Sequence, residues 1–247
     1  MARREHGGAA EALEEIESAA DRLSEWLQEN LRVVVVVVAG VLGVAGLGSY
    51  VASTRNAAEQ DASSALARIR DDYLSAMGAG PGALEVPELA NPEAAAQIRA
   101  EYEKRFGEVA AAHPGTVAGS LAVMERARLA SEDGRDGDAL SLLEAALPAA
   151  PGDAVRGMVL QRIAQRLEGL ERWEDAAARH EEASDLGDYA LRGWAMLDAA
   201  RCRAEAGDVV GAAALYERLE RELPEMSVPE AERARGLELR AAAKRSQ

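Results

Sequence analysis

Cysteine, lysine and aromatic residues are almost absent from this chain of 247 residues. Cys202 is the only cysteine, so an internal disulfide and a cysteine-based metal cluster are both excluded. Aromatic residues make up 4% of the sequence, and Lys104 and Lys244 are its only lysines. A core with so few aromatics must be built from alanine, leucine and valine. Such a core suits closely packed helix pairs and not a β-sandwich.

Basic charge is also scarce. Of the net charge of −15, residues 1–32 carry −4 and Arg55 adds +1, which leaves −12 for residues 56–247. Nucleic acids and anionic membrane surfaces both attract basic proteins. We therefore expect no nucleic-acid partner. Acidic charge keeps a domain soluble and does not by itself name a partner.

No catalytic motif stands out. The three histidines, His6, His113 and His180, do not form a His-Glu-x-x-His pattern, and the chain has neither a phosphate-binding loop nor a serine elbow. His180 falls at a position that packs in a helix pair. The sequence predicts a protein that is not an enzyme, with no catalytic residue, no cofactor and no metal ligand.

One long apolar stretch, Val33–Ala52, lacks charged residues and opens with six valines. Twenty helical residues span about 30 Å, the thickness of the hydrocarbon core of a bilayer. The stretch predicts a transmembrane helix over residues 32–53, with lipid contact through residues 33–52.

Three alternatives compete for this stretch. A cleaved signal peptide would explain the small residues Val51-Ala52-Ser53, but its apolar part is usually shorter and follows a short basic segment. A dinucleotide-binding strand and turn needs glycine where Val38 stands, and an acidic residue on a second strand. A buried core strand would have no partner strand. The long acidic segment before the stretch favours an uncleaved membrane helix.

The sequence also predicts helices in the segments before and after this stretch. Residues 10–31 place apolar residues on one stripe, which predicts an amphipathic helix in an acidic tail. Residues 56–78 predict a helix, and Asn91-Pro92 predict the start of another that ends at His113-Pro114-Gly115. A final helix over 229–243 would cover the last apolar face.

From Thr116 onward the chain is repetitive. Alanines recur in pairs twelve residues apart, and the pairs step along the chain by 37 and then 36 residues. The pairs are Ala127/Ala139, Ala164/Ala176 and Ala200/Ala212. This pattern resembles the tetratricopeptide repeat, in which two antiparallel helices meet at small residues. The resemblance implies repeats at about 120–153, 157–190 and 193–226. They are degenerate, because no tryptophan stands at the fourth position and Asp188 replaces a proline.

The predicted fold class is all-α, with a single N-terminal transmembrane helix followed by an α-solenoid of degenerate tetratricopeptide repeats. The predicted segments are a tail (1–31), the membrane helix (32–53), a helical segment that resembles a further repeat with a long loop (54–115), three repeats (116–226) and a capping helix (227–247).

Stacked repeats of this kind form a groove lined by the first helix of each unit. The predicted partner-binding residues are Met124, Arg128, Gln161, Gln165, Trp194 and Arg201. Trp194 is the strongest candidate, because tryptophan and arginine are enriched among binding hot spots. The alternative is that Trp194 packs against the helix that follows. Replacing it with alanine should weaken partner capture without unfolding the chain.

The order of tail, span, helix and degenerate repeats resembles the ancillary subunit of the SecYEG translocon, the YfgM-like family. The stretch that carries the resemblance is His113-Pro114-Gly115-Thr116 through Ala146, with Gly137-Asp138-Ala139-Leu140 inside it. It implies a bacterial inner-membrane protein with a periplasmic repeat domain. Its partners would be proteins: translocon subunits, chaperones or emerging polypeptides.

The charges around the span do not give its direction. Arg22 and Arg32 precede the span, and Arg55, Arg68 and Arg70 follow it, so the positive-inside rule does not place the N-terminus in the cytoplasm. Two hypotheses stay open. One is a periplasmic interaction module at the secretion machinery, and the other is a scaffold for another envelope complex, with its repeats facing the cytoplasm.

Overall fold

The computed structural model describes the backbone of residues 31–80, 86–87 and 89–246, and the side chains of residues 50, 52–80, 86–87 and 89–245. Within these residues the fold is all-α, as predicted, and contains no strand. The chain divides into two compact units, Met1–Asn56 and Ala57–Gln247. The helices are, in chain order, α1 (Leu31–Ala76), α2 (Pro92–Ala112), α3 (Val117–Glu132), α4 (Asp136–Ala146), α5 (Gly152–Gly169), α6 (Trp173–Ser184), α7 (Arg192–Glu205), α8 (Val209–Glu222) and α9 (Glu230–Ser246).

The predicted membrane span lies mostly outside the described side chains. The backbone of Leu31–Ala76 is helical, but the side chains of residues 31–49 and 51 are not described. Among the residues that are described, no helix is long and apolar enough to cross a membrane. The predicted amphipathic tail, residues 1–31, lies almost wholly outside the described residues.

Local sequence signals set the boundaries of α2. Asn91 is its N-cap, and the side chain of Asn91 accepts a hydrogen bond from the backbone N–H of Ala94. Pro92 follows at the first helical position, where a missing N–H costs nothing. The helix ends at Ala112 with His113 as its C-cap. Both boundaries agree with the prediction from the sequence.

The helices of the second unit pack in chain order. From α2 to α9 each helix packs against the next one, and α3 also contacts α5, as α5 contacts α7. The helices α3, α5 and α7 therefore lie side by side, each paired with the helix that follows it. This order of contacts is compatible with an α-solenoid.

Small residues occupy the predicted positions of close approach. The six paired alanines are all buried, with at most 2% of their surface exposed. They are Ala127, Ala139, Ala164, Ala176, Ala200 and Ala212. Because an alanine side chain is a single methyl group, two helix backbones can approach closely at these points.

Each helix pair turns at an equivalent residue. Gly134, Glu171 and Gly207 follow α3, α5 and α7, and all three have positive φ angles of 76°, 56° and 85°. They step along the chain by 37 and 36 residues, as the alanine pairs do. A left-handed conformation favours glycine, because a Cβ atom crowds the following carbonyl oxygen. Glu171 adopts the same conformation although it is not a glycine. The second helix pair therefore has the same turn as the other two.

Polar contacts repeat with nearly the same spacing. Hydrogen bonds join side chains that are 32 to 35 residues apart along the length of the second unit. The pairs are Arg105–Asp72, Arg99–Asp133, Arg135–Glu103, Arg166–Ser131, Arg201–Glu168 and Arg218–Asp185. Residues that lie about one helix pair apart in the sequence occupy equivalent positions on neighbouring helix pairs. These contacts therefore join each helix pair to the next.

Candidate partner-binding surface

Trp194 lies in the first turn of α7, with 44% of its surface exposed. Leu191, the N-cap of the same helix, is 43% exposed. Much of the indole is thus accessible to a partner, while the rest of its surface is covered by the protein, so packing against the following helix stays an alternative. Tryptophan is one of the residues enriched among binding hot spots.

A cavity of about 650 Å³ opens beside Trp194. It is lined by residues 187–190, 192–194 and 222–226, which we call the Trp194 surface. The first two segments are the turn before α7 and its first residues, and the third is the end of α8 and the turn after it. Sites of this size hold one or two large side chains or a small ligand.

The walls of the Trp194 surface are held firmly. The hydroxyl of Tyr189 donates a hydrogen bond to the side-chain oxygen of Gln161, 2.8 Å away. The ring of Tyr189 lies against Gly157, where an added Cβ atom would be only 2.4 Å from the ring. Met226 lies equally close to Gly193. Tyr189 is therefore fixed on two sides, by its hydrogen bond to Gln161 and by its contact with Gly157.

The charges at the Trp194 surface are mostly negative. Asp188 and Glu225 are exposed, and neither makes an ion pair within the part of the chain that the structure describes. Arg192 is the only basic residue in the lining, and its guanidinium lies 3.0 Å from a carboxylate oxygen of Glu222. Arg192 is thus bound to an acidic residue of the same lining, which Arg218 and Arg221 also contact, whereas Asp188 and Glu225 have no counterion in the described residues.

The other predicted groove residues do not share this cavity. Met124 and Arg128 line a smaller cavity of about 80 Å³. Arg128 is held there by Glu125 and Glu132, and its guanidinium lies over the ring of Tyr73.

The two predicted glutamines and Arg201 form hydrogen bonds with other side chains of the same chain. Gln161 accepts the hydrogen bond from Tyr189, and Gln165 accepts one from Arg162, 3.0 Å away. Arg201 binds Glu168. Of the six predicted residues, Trp194 alone lines the larger cavity.

A second polar feature, the Glu168 cluster, joins three helices. It consists of Glu168 at the end of α5, His180 on α6, and Arg201 and Cys202 on α7. Nε2 of His180 lies 2.8 Å from Oε1 of Glu168, and Nη2 of Arg201 lies 2.9 Å from both carboxylate oxygens. The thiol of Cys202 donates to Oε1 over 3.4 Å. One carboxylate thus accepts hydrogen bonds from three side chains.

These contacts shift two pKa values in opposite directions. Burial raises the pKa of the Glu168 carboxyl, but the hydrogen bonds from His180 and Arg201 outweigh burial and lower it to about 2. Burial, together with the charge of Glu168, raises the pKa of the Cys202 thiol to about 12. At neutral pH the carboxylate is therefore ionised and the thiol keeps its proton. Cys202 is therefore a buried thiol and not a reactive thiolate.

Glu168, His180 and Cys202 also form the only group of three potential metal ligands among the described residues, with ligand atoms within 4.8 Å of one another. The arrangement suits hydrogen bonding better than a metal. Arg201 occupies both oxygens of Glu168, and a thiol ligand would have to lose its proton. A ligating histidine usually donates its other ring N–H to a partner, yet buried Nδ1 of His180 has no hydrogen-bond partner in this part of the chain.

The low pKa of Glu168 predicts a stability that depends on pH. The folded value of about 2 lies below the ordinary value of 4.5, so the contribution is complete above about pH 4.5 and is lost as the pH falls toward 2. The shift corresponds to about 3 kcal/mol. Urea unfolding of the natural chain and of Glu168→Gln should show a difference in free energy that shrinks over this range. A difference that stays constant with pH would contradict the prediction.

The Glu168 cluster was not predicted from the sequence, although its spacing carried a signal. Glu168 and Cys202 are 34 residues apart, and Glu168 and His180 are twelve apart. These are the spacings of one repeat and of one alanine pair. Polar residues at such spacings should meet in a helical repeat.

Comparisons with known proteins do not assign the chain to a family. No family model matches the sequence, and no curated protein matches it significantly. What points to function is the repeat pattern of the sequence and the geometry of the Trp194 surface.

Proposed function

We propose that this protein is a membrane-anchored protein–protein interaction module, built as an α-solenoid of degenerate tetratricopeptide repeats. The helix over Val33–Ala52 is the anchor, and the second unit is the binding domain. The observation that carries the proposal is an exposed tryptophan at a preformed cavity, within a chain of helix pairs that repeat at regular spacing.

The repeat spacing supports the assignment of the fold. Each unit proposed from the sequence covers most of one helix pair: α3 with α4, α5 with α6, and α7 with α8. The alanine pairs and the left-handed turns recur after 37 and 36 residues, and the polar contacts join side chains 32 to 35 residues apart. Three independent features with a common period favour a repeat unit over an arbitrary helical bundle.

The segment before these pairs supports a further unit. Phe106 lies eight residues before Pro114, as Tyr216 lies eight before Pro224, and both aromatic rings are buried. Phe106 packs there with Tyr73 and Tyr102. The ion pairs of Arg99 and Arg105 extend the same contact spacing into this segment.

Binding is favoured over catalysis by the location of the ionisable groups. Glu168, whose pKa is lowered to about 2, and Cys202, whose pKa is raised to about 12, contact each other inside the helix pairs. Catalytic groups need contact with a substrate. The large accessible surface is instead apolar, and its free charges are two carboxylates at the rim.

The proposed cellular location is based on the sequence. The apolar stretch supports a single membrane helix, and the resemblance to the YfgM-like family supports a bacterial inner-membrane protein with periplasmic repeats. The partners would be translocon subunits, chaperones or emerging polypeptides. The arginines around the span do not give its direction, so a second candidate is a scaffold or assembly factor for another envelope complex whose repeats face the cytoplasm.

Two measurements separate these candidates. A reporter that is active only after export, fused after Gln247, should be active if the repeats are periplasmic. A photo-crosslinking residue placed at Leu191, beside Trp194, should capture translocon subunits or periplasmic chaperones in cells. The matched control is the same residue at Leu237, which is 64% exposed on α9.

The outcomes are distinct. Crosslinks that form equally from both positions would argue against a specific binding surface. An inactive reporter together with cytosolic crosslinked partners would replace the first candidate with the second.

A further inference from the structure

We propose that the Trp194 surface binds a polypeptide segment in which a large apolar side chain is flanked by arginine or lysine. This inference rests on the proposed function of protein binding and names the chemistry of the partner. It follows from three properties of the surface: its apolar floor, its fixed walls and its unpaired carboxylates.

The floor of the cavity accepts an apolar anchor. Leu223 and Met226 are partly buried beneath the opening, and both pack against the cluster formed by α7 and α8. The indole of Trp194 stands at the edge with 44% of its surface exposed. A volume of about 650 Å³ holds a leucine, phenylalanine or tryptophan side chain together with part of its backbone. Removing these surfaces from water is the main driving force for such a contact.

The fixed walls reduce the entropic cost of binding. Tyr189 is held by its hydrogen bond to Gln161 and by its contact with Gly157. Met226 is held against Gly193. Since these side chains do not have to become ordered when a partner arrives, more of the contact energy is expressed as affinity.

The rim selects for positive charge. Asp188 and Glu225 are unpaired within the described chain, and the backbone N–H of Asp188 lies 3.4 Å from a carboxylate oxygen of Asp153, which brings a third carboxylate close. The single basic residue, Arg192, is bound to Glu222. Arginine or lysine beside the anchor would pair with the free carboxylates and could also stack on the indole of Trp194.

Charge also argues against a second copy of this chain as the occupant. Residues 56–247 carry a net charge of −12, and the rim of the Trp194 surface is itself acidic. Two such surfaces would repel each other, because like charges at an interface oppose association. A basic segment from another protein is attracted instead.

The test uses the purified full chain in a mild non-ionic detergent and three fluorescent peptides. The first peptide carries one apolar anchor between arginines, the second has glutamate in place of every arginine, and the third has alanine in place of the anchor. Fluorescence anisotropy should show binding of the first peptide alone. Its affinity should fall steeply with salt, since the rim charges are exposed.

Two variants of the protein assign the binding to this surface. Trp194→Ala should weaken binding at least about thirtyfold, the fold-change expected for a hot-spot residue. Asp188→Asn with Glu225→Gln should weaken it several-fold and flatten its salt dependence. The matched control, Asp71→Asn with Glu101→Gln, removes the same charge from two exposed carboxylates elsewhere and should leave binding unchanged. Circular dichroism checks that every variant is folded.

Three results would overturn the inference: equal binding of the glutamate peptide, binding that survives Trp194→Ala, or self-association of the chain through Trp194. The crosslinking experiment at Leu191 keeps the two proposals apart. If protein crosslinks form at Leu191 and the arginine peptide does not bind, the partner chemistry is wrong and the interaction function stands. If neither is seen, both fail.

Discussion

Replacing Glu168 with alanine is expected to lower the free energy of unfolding by about 3 kcal/mol, because the substitution removes the shared acceptor of three side chains and one of the two carboxylate partners of the partly buried Arg201. The side chain of Glu168 is only 19% exposed and accepts hydrogen bonds from His180, Arg201 and Cys202. Removing it leaves His180 and Cys202 without this acceptor, and leaves Arg201 with Asp198 as its remaining partner, at the junction of α5, α6 and α7. Urea unfolding followed by circular dichroism measures the effect.

The control for this prediction is another glutamate in an ion pair. Glu220 pairs with Arg240 and is 60% exposed, so Glu220→Ala should cost less than about 1 kcal/mol, as exposed ion pairs generally do. Similar losses for the two variants would show that the Glu168 cluster does not stabilise the fold. A smaller loss in Glu168→Gln than in Glu168→Ala would show that part of the stabilisation comes from neutral hydrogen bonds.

Gly157→Ala is expected to destabilise the chain by about 2 kcal/mol, although alanine is the better helix former. A Cβ atom at position 157 would lie 2.4 Å from the buried ring of Tyr189, so the ring or the helix must shift. Overpacking of this kind costs about 1–3 kcal/mol, more than the gain of up to about 1 kcal/mol in helix propensity. Thermal or urea unfolding tests it.

Gly137→Ala supplies the matched control. Gly137 lies in α4, and a Cβ atom there would meet nothing within 4 Å. The same substitution should therefore stabilise the chain by about 0.5–1 kcal/mol. Opposite signs for the two variants are the expected result. A stabilising Gly157→Ala would show that Tyr189 adapts easily, and the rigid wall that we assign to the Trp194 surface would then be wrong.

The local sequence was sufficient for most of the secondary structure. Asn91-Pro92 predicted the start of α2, and His113 predicted its end. The paired alanines predicted which helix positions would be buried, because only small residues allow two helices to approach closely. These signals are local or strictly periodic, so they can be read without knowing which distant residues meet.

The binding surface was predictable only in part. Trp194 was predicted because tryptophan is rare in this chain and is enriched among binding hot spots. The remaining predicted residues followed from a groove along α3, α5 and α7, yet Gln161 and Arg201 turn out to hold Tyr189 and Glu168. A helical periodicity tells which face a residue lies on. It does not show whether the side chain is already hydrogen-bonded to another residue of the same chain.

By itself, the sequence determined that this chain is helical, acidic and without disulfides, with one apolar stretch and a regular spacing of small residues. Composition and periodicity fix such properties because they depend on each residue and its near neighbours. The tertiary structure alone decided that Trp194 borders a cavity closed by residues 222–226, and that Glu168 collects three donors from α6 and α7. Both depend on helix pairs packing against each other, which brings together side chains that lie about thirty residues apart in the chain.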